Sequence, residues 1–131
     1  METINFKKSG GPIKFRLIEN TGELGVTYSF ELCKRKCLKP LLIYQGNNYP
    51  GKKYFHFLPC PVNDNDDRIL KLSAEYSAFT TDENKNYLLS FEVYQDDNLI
   101  KSVERKGNFS NLEENVLLDF ELKMYEQKTI P

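Results

Sequence analysis

Val26-Thr27-Tyr28-Ser29-Phe30-Glu31-Leu32 places an apolar or aromatic residue at every second position and Thr, Ser or Glu between them. Successive side chains of an extended strand point to opposite faces, so this stretch buries one face and wets the other. The pattern returns at Leu118-Asp119-Phe120-Glu121-Leu122-Lys123-Met124, far along the chain. Working outward from these two segments, the alternation predicts strands over 13–18, 24–32, 40–45, 53–58, 68–77, 87–95, 99–106 and 116–125, with a short edge strand at 3–7. Turn-forming clusters separate them: Asn20-Thr21-Gly22, Gly46-Asn47-Asn48, Asn63 to Asp67, Asp82 to Asn86, Asp96-Asp97-Asn98 and Gly107-Asn108. Short strands at this spacing predict one all-β domain over residues 1–131. The expected form is a mostly antiparallel two-sheet sandwich of about 7 to 9 strands, immunoglobulin-like, C2-like or jelly-roll-like.

Residues 110–126 oppose this reading most strongly. Ser110 and Glu113 have capping-box spacing, and Glu, Leu and Lys favour helix. Wound as a helix, however, the segment would put Glu113 and Lys123 in the apolar stripe and Leu118, Leu122 and Tyr125 on the polar side. The strand has no such misfits from Leu118 to Met124, so the strand is expected, with one helical turn at 110–115. A two-residue turn at Asp96 and Asp97 would set Val93 opposite Ile100 and Glu92 opposite Lys101.

Eighteen basic and nineteen acidic residues leave a formal charge of -1. No whole-chain field steers the protein to nucleic acid, and no nucleic-acid partner is expected. No run approaches the roughly 18 apolar residues of a membrane-spanning helix. Met1 to Lys8 is not followed by the apolar core of an export signal, so a cytoplasmic location is expected unless a leader is removed beforehand. Three cysteines cannot all pair within one chain, and reduced thiols are the expectation.

Catalytic apparatus is hard to assemble from this composition. The single histidine, His56, sits in Tyr54-Phe55-His56-Phe57-Leu58, an aromatic strand in which packing is the ordinary role. There is no glycine-rich phosphate loop. A carboxylate-only enzyme stays open as an alternative, since any two acids could meet in a cleft. No cofactor is expected, with Ca²⁺ as the exception worth testing. Asp64, Asp66 and Asp67 in one loop and Asp96 and Asp97 in another would emerge at the same end of an up-and-down sandwich, where oxygen ligands from several loops could hold calcium. Asp is also common in turns for backbone reasons. Cys33, Cys37, His56 and Cys60 form the ligand set of a structural zinc site, although their spacing is not that of a zinc knuckle.

The irregular segments carry the remaining functional signal. Lys34-Arg35-Lys36-Cys37-Leu38-Lys39 is a basic loop that could meet an anionic surface or an acidic protein patch, and Lys52 falls at the opposite end. Tyr49, flanked by Asn48 and Pro50-Gly51, is a loop aromatic of the amphipathic type found at binding surfaces. Without tryptophan, glycan stacking would rest on Tyr44, Tyr49, Tyr54 or Tyr94. The expected function is a non-enzymatic interaction module that binds a protein partner through loops, chiefly Lys34, Arg35, Lys36, Lys39, Tyr49 and Lys52, or through an edge strand. Calcium-dependent or basic-loop binding to an anionic lipid surface or glycan is the alternative.

Overall fold

The computed structural model describes residues 1–20, 24–36, 39–47, 55–78, 85–109 and 113–126. Nine strands follow in order: β1 (Glu2–Lys7), β2 (Ile13–Glu19), β3 (Leu24–Cys33), β4 (Leu42–Asn47), β5 (His56–Phe57), β6 (Ile69–Ala78), β7 (Lys85–Gln95), β8 (Asn98–Phe109) and β9 (Glu113–Tyr125). They form two sheets, one in the order β1-β9-β6-β3-β4 and the other in the order β5-β2-β7-β8. Every pairing is antiparallel except that of β1 with β9, where Glu2 lies opposite Phe120 and Lys7 opposite Tyr125. The protein is an all-β sandwich, as the alternation predicts.

The core is the set of inward positions of that alternation. Phe15 of β2, Phe30 of β3, Phe91 of β7 and Phe120 of β9 are all fully buried. Their rings run in a chain between the sheets, with centroids 4.7 Å apart from Phe15 to Phe30, 5.4 Å from Phe30 to Phe91 and 4.6 Å from Phe91 to Phe120. Edge-on and offset contacts at these distances add to the area that the rings bury.

Several local expectations need correction. The strand expected over 53–58 is confined to His56–Phe57 among the described residues, with Leu58 N still donating to Ile13 O of β2 at 2.9 Å and Pro59, which has no N–H, following directly. Residues 53 and 54 lie outside the described residues. Val62–Asn65, read as part of a plain turn, winds one 3-10 turn. The helical turn expected at 110–115 is replaced over Glu113–Asn115 by strand, paired with β6 opposite Ser77, Tyr76 and Glu75, and Ser110 to Leu112 lie outside the described residues. β4 begins at Leu42 rather than at Pro40.

The β7–β8 hairpin differs in register. Asp96 and Asp97 have φ of 54° and 60°, the left-handed pair that closes a two-residue hairpin, and Gln95 faces Asn98 as expected. A bulge then intervenes, so that Val93 faces Lys101 and Glu92 faces Ser102. The extra residue separates Glu92 from its expected partner. Its carboxylate instead accepts from Arg16 Nε of β2 at 2.7 Å, while Lys101 turns to Glu2 of β1 at 3.8 Å.

Strand direction gathers the connections 8–12, 34–36 with 39–41, 58–68 and 96–97 at one end of the sandwich, here termed the apical end. Gln95 ties this end together across the sheets. Its side chain accepts from Lys7 N at 2.8 Å and donates to Lys7 O at 3.0 Å and Gly11 O at 3.1 Å.

The aromatic chain predicts the largest single loss of stability. Phe30→Ala removes the ring that bridges Phe15 and Phe91, and the expected loss is about 3–5 kcal/mol, a large share of a typical domain's total. Urea denaturation followed by circular dichroism measures it. A loss below about 1 kcal/mol would mean that the ring chain does not hold the sheets together.

Candidate functional site

The apical loops hold most of the residues singled out from the sequence, and the structure gives the acids among them internal partners. Asp66 Oδ1 accepts from Met124 N at 2.9 Å, and Asp67 N donates to Leu122 O at 2.9 Å, so the 58–68 connection is sewn to the last strand. Asp67, itself at a φ of 65°, bonds Lys123 directly. Lys123 also lies 3.0 Å from Glu121, and Arg35 lies 3.4 Å from Glu121 and 3.7 Å from Asp67. The hydrogen bond and charge of Lys123 hold both the Asp67 and Glu121 carboxyls below their ordinary range. Asp96 accepts from Gly11 N at 2.9 Å, and Asp97 lies 3.2 Å from Lys14 Nζ. Asp64 is exposed on the 3-10 turn. Among the described residues no three His, Cys, Asp or Glu side chains converge on a point where a metal ion could sit.

The zinc set is corrected outright. Cys33 is buried and forms half of a disulfide, so its sulfur offers no thiolate, and the expectation of three reduced thiols fails with it. The thiol count therefore does not speak for a reducing compartment. Cys60 is a free, exposed thiol, and His56 is engaged with Tyr28 rather than with sulfur. Cys37, Tyr49 and Lys52 lie outside the described residues. Lys34, Lys36 and Lys39 are exposed at the apical end, whereas Arg35 is drawn into the network with Glu121 and Asp67.

A different place draws more of the chain's unusual residues together. β4 is the outermost strand of one sheet and β5 the outermost strand of the other. The two edges are joined by Tyr44 Oη, which donates to Phe57 O at 2.8 Å. Behind it His56, half-buried, lies among four rings: Phe15, Tyr28, Phe30 and Tyr44, at centroid distances of 5.5, 5.7, 6.5 and 5.7 Å. Tyr28 Oη and His56 Nε2 are 2.8 Å apart. Gly46 faces Tyr28 across the β3–β4 ladder, and a Cβ there would overlap the Tyr28 hydroxyl, so only glycine leaves room for this pair. Burial pushes the Tyr44 phenol up and the His56 imidazole down from their ordinary values.

On the solvent side of this cluster the edge is apolar. Leu41 is 41 %, Leu42 43 %, Ile43 55 % and Phe57 56 % exposed. Leu42 and Tyr44 occupy the inward positions of β4, but among the described residues the outermost strand of the facing sheet, β5, is two residues long. An inward residue at the last strand of a sandwich is thus read as core although it stands in water. Tyr28 occupies an inward position of the alternation, which signals core filling, yet its hydroxyl anchors the histidine. The remaining tyrosine considered for ring stacking, Tyr94, packs against Phe55 at 5.7 Å beside Lys14 and Arg16, with Lys14 Nζ 4.6 Å and the Arg16 guanidinium 4.8 Å from the Phe55 ring centre.

No family model matches this chain, and a search of curated proteins returned no significant match. Among solved structures, a crystal structure of a DUF4425 family protein from Bacteroides ovatus is similar, with a TM-score of 0.53 and 13% identity, covering 85% of this chain and 96% of that one. At that identity the likeness shows the fold alone. No helix among the described residues is long and apolar enough to cross a membrane.

The setting of His56 fixes a pH response. The unfolded chain takes up its proton near the ordinary histidine value of about 6.5, whereas the folded chain holds the imidazole neutral to lower pH. The unfolded state therefore binds more protons in that window, and stability falls as pH drops through it, levelling once the folded form also protonates. Denaturant midpoints measured from about pH 7.5 to pH 5 should fall for the parent and fall less for His56→Gln. Identical slopes would show that His56 is not held neutral by the cluster.

Proposed function

We propose that this protein is an interaction module that binds another polypeptide along the β4 edge. One observation carries the reading: β4 combines an unpaired outer edge, among the described strands, with exposed Leu41, Leu42 and Ile43 and with Phe57 of β5 beside it. An extended segment added to such an edge gains main-chain hydrogen bonds from the strand and apolar contacts from alternate side chains. Contiguous rather than scattered apolar exposure is the usual mark of a contact surface. The rigid cluster beneath, with Tyr44 bonded to Phe57 O and His56 bonded to Tyr28, holds the edge in place without needing to order on binding. The exposed lysines of the apical loop, Lys34, Lys36 and Lys39, lie at the start of the same edge and would add orientation and association rate rather than affinity.

A photo-crosslinking residue placed at position 43 in native lysate tests this reading. Position 117 is the control, because Leu117 is also an exposed apolar residue but stands on β9, which has strands on both sides. Crosslinks to polypeptide from position 43 and not from position 117 are the expected result. Equal yields from the two positions, or none from position 43, overturn it.

A further inference from the structure

We infer that the seam between β4 and β5 is an acid-operated latch: uptake of a proton by His56 frees β5 from the edge of the sandwich while the two sheets stay packed. Few bonds hold β5. Its ladder with β2 spans two residue pairs, Lys14 with Phe57 and Phe15 with His56, and Leu58 N adds a bond to Ile13 O at 2.9 Å. On its other flank no strand pairs with it among the described residues. Two side chains reach it from the facing sheet instead, Tyr44 Oη at Phe57 O and Tyr28 Oη at His56 Nε2, each at 2.8 Å. Of the groups in these bonds, the imidazole is the one whose charge changes near neutral pH.

The surroundings of the ring suit its neutral form and not its cation. Phe15 of β2, Tyr28 and Phe30 of β3 and Tyr44 of β4 enclose it. The two phenols carry no charge at or below neutral pH. Arg68, which bears on Tyr44, adds a positive charge. Lys14 and Arg16 alternate with Phe15 onto the outer face of β2, where they pair with Asp97 and Glu92. Among the described residues no acid pairs with His56, and the bond that its ring makes is the one from Nε2 to Tyr28. The cation would carry N–H on both nitrogens, and the rings around it offer Nδ1 no lone pair. Burial accordingly pushes the imidazole down from its ordinary value. The protonated ring is best served by water, which it reaches when a two-residue edge strand moves outward.

The sheets do not need to part for this to happen. The chain of Phe15, Phe30, Phe91 and Phe120 joins them with no ring from β5, and β2 keeps its ladder with β7 from Ile13 to Glu19. Release of β5 therefore removes one short edge and leaves the rest of its sheet paired. It lays bare the sides of the Phe15 and Tyr44 rings on which His56 packs. The molecule thus presents more apolar surface in acid than at neutral pH.

Amide hydrogen exchange followed by NMR on the full chain, from about pH 7.5 to about pH 5 and corrected for the intrinsic exchange rate, tests the latch. Leu58, whose N–H bonds Ile13 O, reports on the seam, and Leu72 on the inner strand β6 reports on the whole fold. Leu58 is expected to be at least about tenfold less protected than Leu72 at each pH, because the seam opens without the sheets. Its protection should fall by about threefold to about thirtyfold across the range, the ceiling being set by the ordinary histidine value of about 6.5. The His56 ring protons of the folded protein should titrate below that value. In His56→Gln, whose amide can bond Tyr28 without titrating, the fall at Leu58 should be lost. Equal protection of Leu58 and Leu72 overturns the inference, since β5 would then open only with the whole fold. So does a Leu58 protection that stays flat or rises in acid, as it would if the four rings held the imidazolium by cation–π contact. A fall as steep in folded His56→Gln as in the parent also overturns it. If that variant does not fold, the parent's ring titration together with its Leu58 exchange decides the matter.

Discussion

Four phenylalanines, one each from β2, β3, β7 and β9, hold the two sheets in register. Phe15, Phe30, Phe91 and Phe120 alternate between the sheets, so each ring touches the opposite layer rather than its own neighbour along a strand. Because the strands carrying them are the inner ones of both sheets, this chain of rings fixes the distance and angle at which everything outside it sits. β1 and β8 are then brought close enough for Glu2 to reach Lys101 and Arg105, which closes one side of the sandwich with charge. β4 and β5 are brought close enough for one tyrosine to bridge them, which leaves the other side apolar. The two sides of the sandwich therefore differ in character, one closed by ion pairs and the other apolar where its residues are described.

Much of the architecture was legible in the order of residue types. Strict alternation from Val26 to Leu32 and from Leu118 to Met124 corresponds to buried and exposed faces of β3 and β9, and the misfits of a helical winding over 110–126 correctly spoke for strand where the residues are described. Other features had no local signature. The bulge between Val93 and Tyr94 shifts the register of the β7–β8 hairpin by one residue, and no pattern within the hairpin encodes it. Asn65 and Gln95 look like ordinary polar loop and strand-end residues, yet both are buried. Asn65 donates to Pro59 O at 3.0 Å and accepts from Arg68, shaping the connection that carries the acids.

The candidate site was legible only in part, for a related reason. Charged and cysteine-bearing loops attract attention in a sequence because their residue types carry chemistry. In the folded protein much of that chemistry is consumed internally: Asp66 by a backbone amide, Asp67 and Glu121 by Lys123 and Arg35, and Cys33 by a disulfide. Leu41, Leu42, Ile43 and Phe57 drew no notice because apolar residues in strands are presumed buried. Their exposure follows from strand order and from the brevity of β5, both of which belong to the whole fold.

The parallel pairing of β1 with β9 has a consequence for how the molecule comes together. Glu2 finds its neighbour at Phe120, so the first strand has no seat in its sheet until nearly the whole chain is in place. β6 likewise lies between β3 and β9 and stays open on one flank until that last strand arrives. Contacts so distant along the chain must close a large loop before they return any stabilisation, which favours slow, late completion of the sheet. During that interval the inner face of β6, with Leu70, Leu72 and Tyr76, is the surface most in need of shelter. A nascent chain halted before β9 would be a sandwich with its central strand uncovered.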